Sequence, residues 1–269
     1  MLGTSLFRTK TMTAVFQLTD DPRRVIATEA AMGPWSPTHC HGGAPAALVT
    51  RAAEQVPTLA PMAVSRLTLE LLRPAPLGPF EVSTEVLREG KKLQLVEVSL
   101  KTGEAEVARA RVLKLRLTDL ALPDGADAAP LDLPGPHEGQ ITQGGLARGF
   151  GANFTLSAVK GAFWEGGPAA IWFRLEAPMF EGEATSPAVR AAAAADFGNG
   201  ISGFLPFDAY TFLNADLTVN FARAPVGDWI VVDAETWVDG GGRALARSRL
   251  GDERGWFGAA TQSLLLEAR

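Results

Sequence analysis

Cysteine and histidine are scarce in this 269-residue chain: there is one cysteine, Cys40, and three histidines, His39, His41 and His137. A single thiol excludes a disulfide framework and every multi-cysteine zinc or iron–sulfur site. Three histidines leave little for a His-rich metal centre. Long apolar runs are missing as well, since no stretch approaches the roughly 18 apolar residues of a membrane span. Residues 1–16 set Arg8 and Lys10 among threonines and serines and lack the apolar core of a secretory signal. Basic runs are also absent. The 25 Lys+Arg are outnumbered by 30 Asp+Glu, a formal charge of −5. That balance argues against a nucleic-acid partner, whose phosphates need clustered cations. Together with the single thiol, these absences lead to the expectation of a cytoplasmic protein. What is present is an ordinary globular mixture, 46% hydrophobic and 20% charged, long enough for one large domain or two smaller ones.

Proline marks the main break. Pro123, Pro130, Pro134 and Pro136 fall within 121–138, where few bulky apolar residues remain to pack. The expected organisation is an N-terminal domain at 12–120, a Pro-rich linker at 121–140 and a C-terminal domain at 141–269. The second segment repeats the first at an offset of 150. Leu67 and Thr68 align with Leu217 and Thr218, Arg73 with Arg223, Val82 with Val232, Glu85 with Glu235 and Gly90 with Gly240. These are six identities in 24 positions, where average residue frequencies give about one or two.

The pattern carries more than the count. Leu67, Leu69 and Leu71 alternate with polar residues, as Leu217, Val219 and Phe221 do, which is the period of a half-buried strand. Further strands are expected at 80–87, 93–101 and 105–117 and, in the second copy, at 229–238, 243–251 and 256–266. Each meander follows one helix rich in small apolar residues, at 44–56 and at 188–196. The second helix has Ser186 as its cap and Pro187 at its first position. Ahead of each helix lies a strand candidate, at 25–30 and 169–175. Helices apolar on nearly all sides must be wrapped by other structure. The expected fold class is α+β, a tandem (double) hotdog with two antiparallel sheets, each wrapping a central apolar helix.

Several catalytic signatures fail. Gly200-Ile201-Ser202-Gly203 lacks the spacing of a nucleophile elbow, and no histidine follows it for a Ser-His-Asp order. Residues 198–203 match G-x-G-x-x-G, yet a helix precedes them where a dinucleotide site needs a strand, so the match is read as a loop. Cys40 reads as structural. Two features survive. His41-Gly42-Gly43-Ala44 opens the first helix, where free N–H groups could hold a carbonyl oxygen, or simply form a tight turn. Asp196 follows five alanines at the end of the second helix, where the macrodipole and burial both disfavour an anion. It is a candidate base or nucleophile, or else an exposed helix-end residue. The corresponding stretch of the first helix, around Thr50 and Arg51, has no acid. Asn214 and Gln262 are polar residues in strand contexts and could hold a water against Asp196.

In this order and spacing, His41-Gly42-Gly43-Ala44, Leu71-Leu72-Arg73-Pro74, Arg88-Glu89-Gly90-Lys91, Ala194-Ala195-Asp196-Phe197 and Ala260-Thr261-Gln262-Ser263 resemble the double-hotdog acyl-CoA thioesterases of the thioesterase II (TesB-like) group. The resemblance covers residues 20–268. It implies hydrolysis of an acyl-CoA to free acid and CoA, with a helix Asp, a strand Thr or Ser and a Gln on the last strand positioning water, and no metal or organic cofactor. The Asp falls on Asp196 and the Gln on Gln262. The hydroxyl position falls on Asn214, a departure for which Thr211 or Thr218 could substitute. The thioester carbonyl would rest on the helix start at His41, Gly42, Gly43 and Ala44, and attack would come from activated water or from the Asp196 carboxylate through an anhydride. The resemblance also implies a homo-oligomer, dimer or tetramer. Two alternatives use the same fold: a non-catalytic acyl-CoA or lipid-binding hotdog protein, and a hydratase or dehydratase using His41. The apolar residues of the linker and the segment 150–164 are expected to help shape the acyl tunnel.

Overall fold

Alternation of apolar and polar side chains builds most of the molecule as strands, and the exceptions lie where polar groups interrupt the ladder. The structure is a computed structural model describing residues 12–126, 129–143, 148–163 and 165–269. Strands β1 (Phe16–Leu18) and β2 (Arg24–Ala27) lead to helix α1 (Gly43–Glu54). A meander follows, of β3 (Met62–Leu71), β4 (Gly78–Arg88), β5 (Leu93–Thr102) and β6 (Ala105–Arg116). Then come β7 (Gln140–Thr142), β8 (Phe154–Lys160), β9 (Ala169–Leu175), helix α2 (Pro187–Ala195) and the short α3 (Gly198–Ser202). A second meander comprises β10 (Tyr210–Asn214), β11 (Asp216–Phe221), β12 (Trp229–Asp239), β13 (Arg243–Asp252) and β14 (Gly255–Ala268).

Three local expectations change. The strand expected at 25–30 stops at Ala27, because the Thr28 hydroxyl accepts the Ala30 N–H and starts a 3-10 turn. The helix expected at 188–196 ends at Ala195, with Asp196 as its cap residue. Residues 198–202, read as loop, form α3, directly after α2 and without a strand before it.

The larger correction concerns the sheet. Among the described residues, all strands join one antiparallel sheet of 14 strands, ordered β1-β2-β4-β5-β6-β3-β11-β14-β13-β12-β9-β8-β7 with β10 beside β14. The expected two sheets are fused because β3 and β11 pair with each other. Thr68 stands opposite Thr218, flanked by Leu69 opposite Leu217 and Leu67 opposite Val219. Since 218 − 68 = 150, the repeat offset, this register reads the same from either copy. An edge strand leaves N–H and C=O groups unpaired, and two copies of the same edge satisfy each other.

Neither helix sits alone in its own sheet. α1 and α2 pack on each other, so closely that a Cβ on Gly43 would lie 2.7 Å from the Ala193 carbonyl oxygen. Ala191–Ala195 on one helix and Ala44, Ala46, Ala47 and Ala53 on the other are fully buried, and one core runs through both halves. Small residues make this approach possible while the sheet's Leu, Val and Phe side chains fill the remaining space.

The proline-rich segment packs more than its composition suggests. Its leucines do not shape an acyl tunnel as expected: Leu131 and Leu133 lie on the outer sheet face against Trp172, Trp229 and Val231. Pro134 O accepts the Trp172 indole N–H at 3.0 Å, and Asp132 accepts from Arg249 and Trp256. At a corner of the second meander, Arg223 grips the buried Asp252 with two bonds of 2.6 and 2.7 Å. Burial works to raise that carboxyl, but Arg223 and the N–H groups of Val226 and Arg254 outweigh it and hold it below the usual carboxylate range. Among the described residues, no helix is long and apolar enough to cross a membrane.

Candidate active site

Asp196 ends a run of five buried alanines and is itself only 3% exposed. Nothing beside it in sequence offsets its charge, and the fold supplies the partners from a distance. Asn214, the last residue of β10, donates its amide N–H to Oδ1 at 2.6 Å. Gln262, in the middle of β14, donates to the same oxygen at 3.1 Å and to the Asp196 backbone oxygen at 3.2 Å. The Gln262 side-chain oxygen in turn accepts the Asn199 N–H at 3.1 Å, which fixes its orientation against α3. Gly198 permits this, because a Cβ there would lie 3.0 Å from that oxygen and 2.6 Å from Ser248 Oγ. The amides therefore hold the carboxylate itself. Thr211 is engaged with the Glu267 carbonyl, while Thr218 lies in the β3–β11 ladder, and neither shows a bond to Asp196.

The second carboxylate oxygen faces the entry of α1. A Cβ on Gly42 would lie 2.7 Å from Asp196 Oδ2, so only glycine allows the carboxylate this close to the helix start. His41 Nδ1 is 2.9 Å from the same oxygen. That nitrogen also accepts the Gly43 N–H at 3.1 Å, and the Ala44 N–H goes to the His41 carbonyl at 3.0 Å. The expected carbonyl donors are therefore redistributed. Gly43 and Ala44 are engaged inside the helix turn, whereas the Gly42 N–H has no acceptor among the described residues and Gly42 lines the cavity. The imidazole packs against Phe150 and Phe197, with centroids at 5.0 and 4.6 Å, in a three-ring cluster. Contact between His41 and Asp196 was not foreseen; no local signal links residues so far apart in sequence.

Asp196, Asn214, His41 and Gly42 open onto a cavity of 380 Å³ whose other walls include Trp35, Phe163 and Phe212. A larger groove of 950 Å³ adjoins it, lined by Met32, Arg148, Glu165 and Phe204. Trp35 and Phe207 line both and stack at 4.6 Å, so this ring pair is part of the boundary between them, with Phe212 and His41. Arg269 covers the stack, with its guanidinium carbon 5.2 Å from the Trp35 ring centre and 4.8 Å from that of Phe207. Of the segment expected to shape the tunnel, Phe150 braces His41 and Phe163 lines the cavity, while Trp164 lies outside the described residues. Cys40 also lines it, its thiol pushed up to about 12 by burial and thus unreactive as a nucleophile.

A carboxylate held by amides beside a glycine-opened helix suits attack on a carbonyl, and comparison with known families points the same way. Residues 31–115 match the acyl-CoA thioesterase N-terminal domain, and residues 123–266 match the C-terminal domain of the same family. The chain belongs to the acyl-CoA thioesterase family.

Solved structures similar to this thioesterase include a protein of unknown function with a hot dog fold from Alicyclobacillus acidocaldarius. It is 17% identical, with 93% of this chain and 96% of that one covered and a TM-score of 0.72. The acyl-CoA thioesterase II TesB2 of Mycobacterium marinum is 17% identical over 92% of both chains, with a TM-score of 0.62. A tesB protein of Mycobacterium avium subsp. paratuberculosis is 16% identical, covering 91% and 92%, with a TM-score of 0.66. No curated protein matches the chain. At these identities the likeness is one of fold, and the large antiparallel sheet around few helices is that of the hotdog neighbours. Within that fold, the thioesterase places its lone buried helix-end carboxylate against the glycine entry of the neighbouring helix.

Proposed function

We propose that this chain is a tandem double hotdog, with an N-terminal unit at 12–120, a connecting segment at 121–140 and a C-terminal unit at 141–269. In this reading it hydrolyses acyl-CoA thioesters at a single site centred on Asp196. The observation that carries the reading is the division of labour at that carboxylate. Oδ1 is occupied by Asn214 and Gln262, leaving Oδ2, which faces His41 Nδ1 and the Gly42 Cα, to act as base.

The thioester carbonyl accepts from the Gly42 N–H at the positive end of α1, where charge developing on the oxygen is stabilised. A water between Oδ2 and the carbonyl carbon attacks, its oxygen bonding to carbon while its proton passes to Asp196. Asn214 keeps its side-chain oxygen free of protein donors among the described residues, so it can accept the water's other hydrogen. It thereby takes over part of what a hydroxyl would do. Collapse breaks the C–S bond, and the proton held by Asp196, next to His41, returns to the departing sulfur. His41 Nδ1 lies against Oδ2: a lone pair there takes the Gly43 N–H and a proton there goes to Asp196, so in either state the nitrogen is engaged and poorly placed to act as the free base of a hydratase.

The acyl group occupies the aromatic cavity, and an oligomer is proposed by likeness of family alone. Asp196→Asn keeps the size and both amide contacts' geometry but removes the base. Thiol release from a panel of acyl-CoAs should fall by about 10³-fold or more, with the melting temperature little changed. Unchanged turnover in a folded Asp196→Asn protein would exclude Asp196 as base, and binding without turnover in the intact protein would favour the non-catalytic alternative.

A further inference from the structure

The repeat creates a second cleft related to the first. There the N-terminus of α2 meets the end of α1, and Ser186 Oγ donates to Glu54 Oε2 at 2.7 Å. Glu54 at the end of α1 is an acid placed as Asp196 is at the end of α2, but the counterparts of the amides are missing. Val64 stands opposite Lys114 in the β3–β6 ladder as Asn214 stands opposite Leu264 in β10–β14. At the same offset Val112 takes the place of Gln262. The N-cap of α2 is Ser186, whose hydroxyl is taken by the Val189 N–H and Glu54, where α1 has the side-chain-free Gly42. This cleft cannot run the same hydrolysis.

It is nevertheless a cavity of 400 Å³, walled by Met62, Val64, Pro187 and Phe221 and reached by Glu54 and Lys114. Lys114 is the unexplained group. It is 3% exposed, and its ammonium donates to the Val56 carbonyl at 2.7 Å and to no other acceptor among the described residues. Burial lowers its proton affinity, with Glu54 and Glu89 opposing that effect. A buried ammonium with unmet donors is costly, and in the other copy an ordinary leucine suffices at this position. Packing does not call for the charge, whereas a ligand oxygen would satisfy it.

We propose that this cleft is a second, non-hydrolytic site that binds a small monocarboxylic acid. The ligand's carboxylate accepts from Lys114, and its apolar body lies between Met62, Val64 and Phe221. The inference stands independently of the reaction at Asp196. Met62 lines this cleft and Met32 lines the groove beside the catalytic cavity, so methyl-labelled methionine NMR separates the two sites.

Butyrate, octanoate and phenylacetate are titrated into the full chain. At least one should shift the Met62 methyl saturably, equally well in wild type and in Asp196→Asn. In Lys114→Leu, which installs the other copy's residue, the affinity should drop about tenfold or more. If Lys114→Leu does not fold, Val64→Phe fills the cavity from β3 and should displace the acid to a similar extent. A Met62 methyl unmoved by all three acids at millimolar concentration overturns the proposal. So do shifts confined to Met32, or undiminished affinity in a folded Lys114→Leu protein.

Discussion

Gly42 shows how much of the site hangs on a missing atom. Its backbone is ordinary helical, with φ −59° and ψ −26°, so alanine suits the chain there and only the carboxylate objects. Gly42→Ala should therefore leave the melting temperature nearly unchanged while turnover falls by about 10²-fold, because the Cβ pushes Asp196 out of line. Parallel melting and thiol-release assays check this, and full activity would mean the carboxylate acts from another position. At this scale the sequence was informative where a residue was out of character. Asp196 stood out as a charge after five alanines, and the glycine pair stood out at a helix start. Asn214 and Gln262 were visible as amides in strand contexts, but an amide in a strand is most often a solvated one, and it was the family likeness that gave them roles. The His41–Asp196 contact had no local signal at all. Glu54 was missed because α1 is three residues longer than α2 (12 against 9), so the 150-residue offset that holds in the strands fails in the helices.

Among the elements, the strands were the most legible, because period-two alternation needs no knowledge of the neighbours. Their ends were less so: β2 stops early since Thr28 offers its hydroxyl to the backbone, a competition that alternation does not register. The loops around Trp35 and Phe207 gave no pattern, yet their stacked rings are part of the boundary between the 380 Å³ cavity and the 950 Å³ groove. Trp35→Ala should merge the two spaces. Relative kcat/KM for long over short acyl-CoAs is then expected to rise about tenfold, the worth of one or two methylenes' contact. A chain-length profile identical to wild type would place the acyl group elsewhere.

For the molecule as a whole, the repeat was visible but the join was not, because pairing of β3 with β11 uses backbone groups that every residue has. The join and the α1–α2 contact make one core span both halves. Urea unfolding should thus be a single transition, with tryptophan fluorescence and far-UV circular dichroism superimposing. Two separated transitions would show halves that fold independently. The segment carrying Leu131 and Leu133 adds a consequence of a different kind. It lies over Trp172, Trp229 and Val231, which would otherwise form an aromatic patch on the outer face of the sheet. The same face of the first half carries ion pairs such as Glu97–Arg111 and Glu106–Arg109 and needs no such cover. The connection between the halves is thus also a solubility device: shortening or cutting it would expose a sticky aromatic surface and invite aggregation even with every strand still in place.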